Sequence, residues 1–125
     1  MMKAKIIILF CALMFSAFTG IALAGNETGS NTWYGENAGD AVTTGGYNAF
    51  FGNYTGYSTT AGERNTFIGA GAGYHNTGGT DNVFVGLQAG YDNTTGTEST
   101  FVGRNSGFNN TASGNTYVGS YTGNL

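Results

Sequence analysis

Apolar residues in this chain come in short bursts, and the bursts recur at a fixed distance. Each unit opens on a five-residue core of the type Asn-Thr-Phe-Val-Gly. The cores are Asn31-Thr32-Trp33-Tyr34-Gly35, Asn48-Ala49-Phe50-Phe51-Gly52, Asn65-Thr66-Phe67-Ile68-Gly69, Asn82-Val83-Phe84-Val85-Gly86, Ser99-Thr100-Phe101-Val102-Gly103 and Asn115-Thr116-Tyr117-Val118-Gly119. Their central rings, Trp33, Phe50, Phe67, Phe84, Phe101 and Tyr117, are spaced by 17, 17, 17, 17 and 16 residues. Between cores the chain is polar. It carries a second glycine six residues after each ring (Gly39 and Gly56 are the first two), an aromatic column (Tyr57, Tyr74, Tyr91, Phe108) and turns of the Asn93-Thr94-Thr95-Gly96 type.

A period of this length assigns one small unit to each repeat, with every unit stacked on its neighbours. Seventeen residues are too few for a helical hairpin. The core alternates and is aromatic and β-branched, which predicts a short strand. Asn, Thr and Gly at the corners supply turns and left-handed backbone. The predicted fold is all-β: a parallel β-solenoid (β-roll or β-helix) of about six 17-residue coils, uncapped, over residues 25–125. Coils about 4.8 Å apart turn each column of equal residues into a ladder, with ring near ring and Asn bonding to Asn.

Strand parity puts Asn, the ring and Gly on one face and the flanking residues on the other. The rings are expected inside, because so narrow a coil holds about one large side chain per strand; parity by itself also allows the opposite assignment, with the rings outward. Thr32, Thr66, Thr100 and Thr116, with Tyr34, Ile68, Val85, Val102 and Val118, then face outward. Such an apolar face marks a contact surface.

The stretches Asn65 to Gly79 and Asn82 to Gly96 carry the pattern NTFxGxxAGYxNTTG. This resembles repeats of bacterial and phage tail-fibre-type surface proteins and is similar, more distantly, to the head repeats of trimeric autotransporter adhesins. With its looser copies the pattern covers residues 25–125. The resemblance implies a β-roll or β-solenoid on a cell surface or fibre, often trimeric. No coiled-coil stalk or membrane-barrel pattern accompanies the repeats, so it does not carry over anchoring by the autotransporter route.

Residues 1–24 follow a different pattern. Lys3 and Lys5 precede an apolar run from Ile6 to Phe18, and Ala22-Leu23-Ala24 offers a small-residue cleavage site. This reads as a signal peptide, too short for a membrane span of about 20 apolar residues. The expectation is a secreted protein, extracellular or on the cell surface, with no membrane insertion of the mature chain. Cys11 leaves with the leader, so no disulfide staples residues 25–125. Arg64 and Arg104 then face seven acidic residues, a net of −5. That balance argues against nucleic acid or an anionic membrane as partner, since both call for clustered Lys and Arg. Glycine at 23 residues, without proline and without a three-residue period, excludes collagen.

Candidate chemistry is thin. His75, the only histidine, shares its column with Ser58, Asp92 and Asn109 and has no nucleophile in a recognisable arrangement. The acids Glu27, Glu36, Asp40, Glu63, Asp81, Asp92 and Glu98 form neither an EF-hand loop nor the glycine-rich nonapeptide of calcium β-rolls. Asp81 and Glu98 instead share a column with Arg64, which reads as a solvated ladder. Neither an enzyme, a cofactor nor a metal is expected.

The ends of the repeat array point to a partner, another copy of the chain. From Tyr117 to Leu125 is 8 steps, a junction adds 1, and Gly25 to Trp33 is 8, which together make one 17-residue period. Head-to-tail stacking would complete a coil at each junction, and such a contact does not close. The expected assembly edges are Gly25, Asn31, Trp33 and Tyr34 at one end and Tyr117, Val118 and Leu125 at the other. The expected function is a structural protein that self-assembles into an extracellular filament or matrix fibre. A homo-trimeric adhesin or tail-fibre-like binding module is the alternative. An ice-binding solenoid is a lesser one, because Ala49 and Val83 interrupt the Thr column and Tyr34 and Phe51 roughen its neighbour.

Overall fold

The computed structural model describes residues 30–124. The expected signal peptide at 1–24, with Gly25 and Leu125, lies outside the described residues. Each core forms one three-residue strand: β1 (Thr32–Tyr34), β2 (Ala49–Phe51), β3 (Thr66–Ile68), β4 (Val83–Val85), β5 (Thr100–Val102) and β6 (Thr116–Val118). The six strands make one sheet in chain order. Every pair is parallel and ring is paired with ring, from Trp33↔Phe50 through to Phe101↔Tyr117. The fold is therefore a parallel β-solenoid, with about five turns joining its six strands and no helix among the described residues. Hydrogen bonds between coils continue outside the strands, as in Gly56 N–H to Ala72 C=O at 2.9 Å and Ser58 N–H to Tyr74 C=O at 2.9 Å.

Glycine ends each strand. At Gly35, Gly52, Gly69, Gly86, Gly103 and Gly119 φ lies between 128° and 137°, a region that side chains essentially exclude. These glycines also let successive coils touch. A Cβ on Gly86 would sit 2.5 Å from the Gly103 carbonyl oxygen. Two further columns hold left-handed backbone without needing glycine. One runs through Tyr47, Arg64, Asp81 and Glu98, the other through Asn37, Tyr54, Gln88 and Asn105, with φ from 53° to 60°.

The interior is one ring wide, and of the two faces that parity allows the rings take the inner one. Phe50, Phe67, Phe84 and Phe101 are fully buried. They stack with centroids 5.1, 4.7 and 4.8 Å apart. Tyr117 continues the row at 5.2 Å from Phe101; it and, at the opposite end of the sheet, Trp33 are half-buried flanks of the core. Burial of each phenylalanine contributes about 1.5–3 kcal/mol, and each stacked pair about 0.5–1.5 kcal/mol more. The ring fills the width, so buried Ala38, Ala72 and Ala89 share the interior with it.

The rest of the interior is polar, and asparagine organises it. Asn31, Asn48, Asn65 and Asn82 each use the side chain twice. The amide Nδ2 donates to the carbonyl 14 residues on (Gly45, Gly62, Gly79, Gly96) at 2.7–2.9 Å. Oδ1 accepts the backbone N–H 17 residues on, at 2.8–3.1 Å. Each asparagine thus ties the start of its coil to its end and to the next coil. The expected Asn-to-Asn side-chain bond occurs between Asn65 and Asn48 at 3.1 Å; the prevailing partner is backbone.

The 16-residue spacing is absorbed at one corner. Asn93 and Asn110 keep their 17-residue relation, with Asn93 Nδ2 donating to the Asn110 carbonyl at 3.0 Å. Ser99 replaces asparagine in this coil, and its hydroxyl reaches Ala112 C=O, 13 residues on, at 3.4 Å. The missing residue therefore falls between Asn110 and Ala112.

Candidate assembly site: two strand edges and an outward face

Parallel pairing fixes which backbone groups each end of the sheet presents. Inside the array Thr32 N–H donates to Asn48 C=O at 2.8 Å, and Gly52 N–H donates to Tyr34 C=O at 2.8 Å. N–H and C=O of one residue point to the same side of a strand, and the side alternates along it. In β6 the N–H and C=O of Thr116 and Val118 consequently point away from β5. In β1 the outward groups are Asn31 C=O, both groups of Trp33, and Gly35 N–H. The order of donors and acceptors on one edge is the complement of that on the other.

The predicted edge residues divide between the two ends of the sheet, and no single copy brings them together. Asn31 is buried, Trp33 and Tyr117 are half-buried, and Tyr34 and Val118 are 52% and 70% exposed. Gly25 and Leu125 are outside the described residues. Among the described residues no further strand pairs with the outer edge of β1 or β6. The terminal ring is held in place: the Tyr117 hydroxyl accepts from Asn110 Nδ2 at 3.2 Å and donates to Asn115 Oδ1 at 3.4 Å.

The outward side of the sheet carries two ranks of uncharged residues. One runs Thr32, Ala49, Thr66, Val83, Thr100 and Thr116, the other Tyr34, Phe51, Ile68, Val85, Val102 and Val118. Phe51 and Ile68 are each 42% exposed. Charges stand beside these ranks. Arg64 holds Asp81 through two hydrogen bonds of 2.7 and 3.0 Å and Glu63 through one of 2.7 Å. The guanidinium lowers the Asp81 carboxyl below its ordinary range, and the two carboxylates, Asp81 first, raise Arg64. The sequence places Arg64, Asp81 and Glu98 in one column; the structure pairs the first two.

The aromatic column also forms a ladder, half-buried on another side of the coil. Tyr57, Tyr74, Tyr91 and Phe108 stack with centroids 5.0, 4.9 and 4.9 Å apart. Burial is the main cause that pushes the Tyr91 phenol up, with Tyr74 and Asp92 adding to it. A shallow groove beside the ladder is lined by Tyr54, Leu87 and Gln88. Because the rings cover one another's faces, they offer edges rather than a platform for a flat ligand. His75 sits edge-on to Tyr74 and Tyr91 at 4.7 and 5.2 Å, with Nε2 3.8 Å from Asp92.

One interior feature escaped the sequence reading. Thr59, Asn76, Asn93 and Asn110 form a second buried polar column. Within it Thr59 Oγ1, both amide atoms of Asn76 and Asn93 Oδ1 lack a hydrogen-bond partner among the described residues. The 17-residue recurrence of Asn76, Asn93 and Asn110 was the available signal, but it also fits a row of turn residues. Comparison of the chain with protein-family models, curated proteins and solved structures returns no match.

Proposed function

We propose that this is an exported structural protein that assembles head to tail into an extracellular filament. The observation that carries the reading is the complementarity of the two edges. In a junction Thr116 N–H would meet Asn31 C=O, and Trp33 N–H would meet Thr116 C=O. Val118 N–H would then meet Trp33 C=O, and Gly35 N–H would meet Val118 C=O. The junction thereby repeats the pairing found between β1 and β2. Asn115 Oδ1 would stand where Asn31 Oδ1 accepts the Asn48 N–H at 2.8 Å. The Trp33 ring would continue the stack that ends on Tyr117.

Such an interface is heterologous and repeats without closing. Exposed strand edges are ordinarily blunted by charge or proline, and neither Thr32–Tyr34 nor Thr116–Val118 contains either. The role is architectural rather than catalytic, and secretion places the filament outside the cell.

Negative-stain electron microscopy of the concentrated protein tests this. Long uniform filaments are expected. Val118→Pro removes an N–H that points out of β6 and leaves the β5–β6 bonds in place, so the variant is expected to fold and stay monomeric. Discrete particles of fixed size from the unmodified protein would refute the filament and favour a closed assembly such as a trimer.

A further inference from the structure

We infer that the outward sheet face is a lateral docking surface for a second copy of the chain, and that it engages only once copies are stacked into a filament. The inference rests on the head-to-tail reading and adds a second contact to it.

The face is continuous from strand to strand and uncharged. Every strand has the same length and register, so the two outward ranks run straight along the array without a step. Neither rank contains a charge, and the half-exposed aliphatic and aromatic groups Phe51, Ile68 and Val83 sit in its middle. The flanking column alternates in sign at Arg64 and Asp81, which already satisfy one another. A second copy opposite therefore meets apolar and hydroxyl groups across the two ranks, where no side chain is charged; the acidic excess at Glu63, Asp81 and Glu98 stays at the flank.

Size decides when the face can act. Six strands, each occupying about 4.8 Å of the sheet's width, cover about 29 Å, and three residues along a strand add about 10 Å in the other direction. One copy offers a face of about 290 Å², so a face-to-face pair buries about 600 Å². Stable specific interfaces bury about 1,200–2,000 Å² in total. A single pair falls short by about half. Stacking two copies end to end doubles the available face and brings the contact to the lower limit of that range, and longer stacks pass it. Lateral pairing is thus coupled to polymerisation: free subunits ignore the face, and filaments zip together along it.

The test compares the unmodified protein with Ile68→Lys/Val102→Lys, an Ile68→Glu/Val102→Glu counterpart and Val118→Pro. These face residues line neither the core nor a strand edge, and circular dichroism checks that each variant keeps the fold. The unmodified filaments are expected in laterally joined pairs or bundles. The Lys and Glu variants should each give single filaments of unchanged length, at about half the paired width. Mixing the Lys and Glu filaments should restore pairing by opposite charge. Val118→Pro should sediment as a monomer at the same concentration. Single filaments from the unmodified protein, or pairing that survives in the Lys variant, would overturn the docking surface while leaving the filament intact. Dimers or trimers of Val118→Pro would overturn the coupling to polymerisation. Absence of filaments altogether would overturn the head-to-tail reading and this inference with it.

Discussion

Two asparagines in the same coil provide a test of what holds the polar interior together. Asn65 and Asn76 are both fully buried, yet they differ in what their amides do. Asn65 Nδ2 donates to Gly79 C=O at 2.8 Å, and its Oδ1 accepts Asn82 N–H at 3.1 Å. Neither amide atom of Asn76 has a partner among the described residues. Leucine at either position adds similar apolar burial and a similar change of shape, so those contributions cancel in the difference between the two variants. Asn65→Leu alone strands two buried backbone groups, each costing about 1–3 kcal/mol. Asn65→Leu should therefore be less stable than Asn76→Leu by about 2–6 kcal/mol. Asn76→Leu itself should be neutral or stabilising, since it removes unmatched polar atoms.

The assay is equilibrium urea unfolding of each variant in the Val118→Pro background, followed by circular dichroism, with the slope checked for constancy. Equal stabilities, or a difference under about 1 kcal/mol, would refute the claim that the asparagine clamps carry the interior.

Further outcomes follow from the same geometry. Gly86→Ala puts a Cβ 2.5 Å from the Gly103 carbonyl at φ 137°, and is expected to prevent folding or lower the urea midpoint sharply. Gly78→Ala, with open space around the added Cβ, should change stability by less than about 1 kcal/mol. Phe84→Ala, in the middle of the ring stack, should cost about 3–5 kcal/mol in urea unfolding. For pH, the Asp81 carboxyl is lowered by Arg64. Its contribution is present above the ordinary carboxylate value of about 3.9 and is lost as pH falls from there through its lower folded value. Tyr91 is raised by burial, so stability is lost as pH climbs from about 10 through its higher folded value. Thermal midpoints should fall in both windows, and an acid-side profile without any loss would contradict the role given to Arg64. Arg64→Gln should remove part of the acid-side loss.

The ladder was legible as a column because the 17-residue period and strand parity put every ring on one face; that this face is the inner one is settled by burial, which depends on closure of the coil. Trp33, Phe50, Phe67, Phe84, Phe101 and Tyr117 occupy that face. The glycines at the strand ends were legible as corners, but their second role, backbone-to-backbone contact between coils at Gly86 and Gly103, depends on how closely coils approach. The Asn31 to Asn82 column was legible as buried. Its partners were not, since a side chain that reaches a carbonyl 14 residues on is set by the shape of the whole turn. Tyr54, Gln88 and Glu98 show no local sign of left-handed backbone, because the coil imposes it on whatever residue falls there. Asn76 and Asn93 resemble ordinary turn residues, and only closure of the coil turns them inward.

The most direct test of the filament is its helical rise, measured by cryo-electron microscopy. Head-to-tail stacking with one completed coil per junction predicts a subunit rise of about 29 Å, six coils at about 4.8 Å each. Strands should lie perpendicular to the filament axis, with the 4.8 Å spacing unbroken across junctions. A rise that is not a whole number of coil spacings, or strands running along the axis, would contradict it.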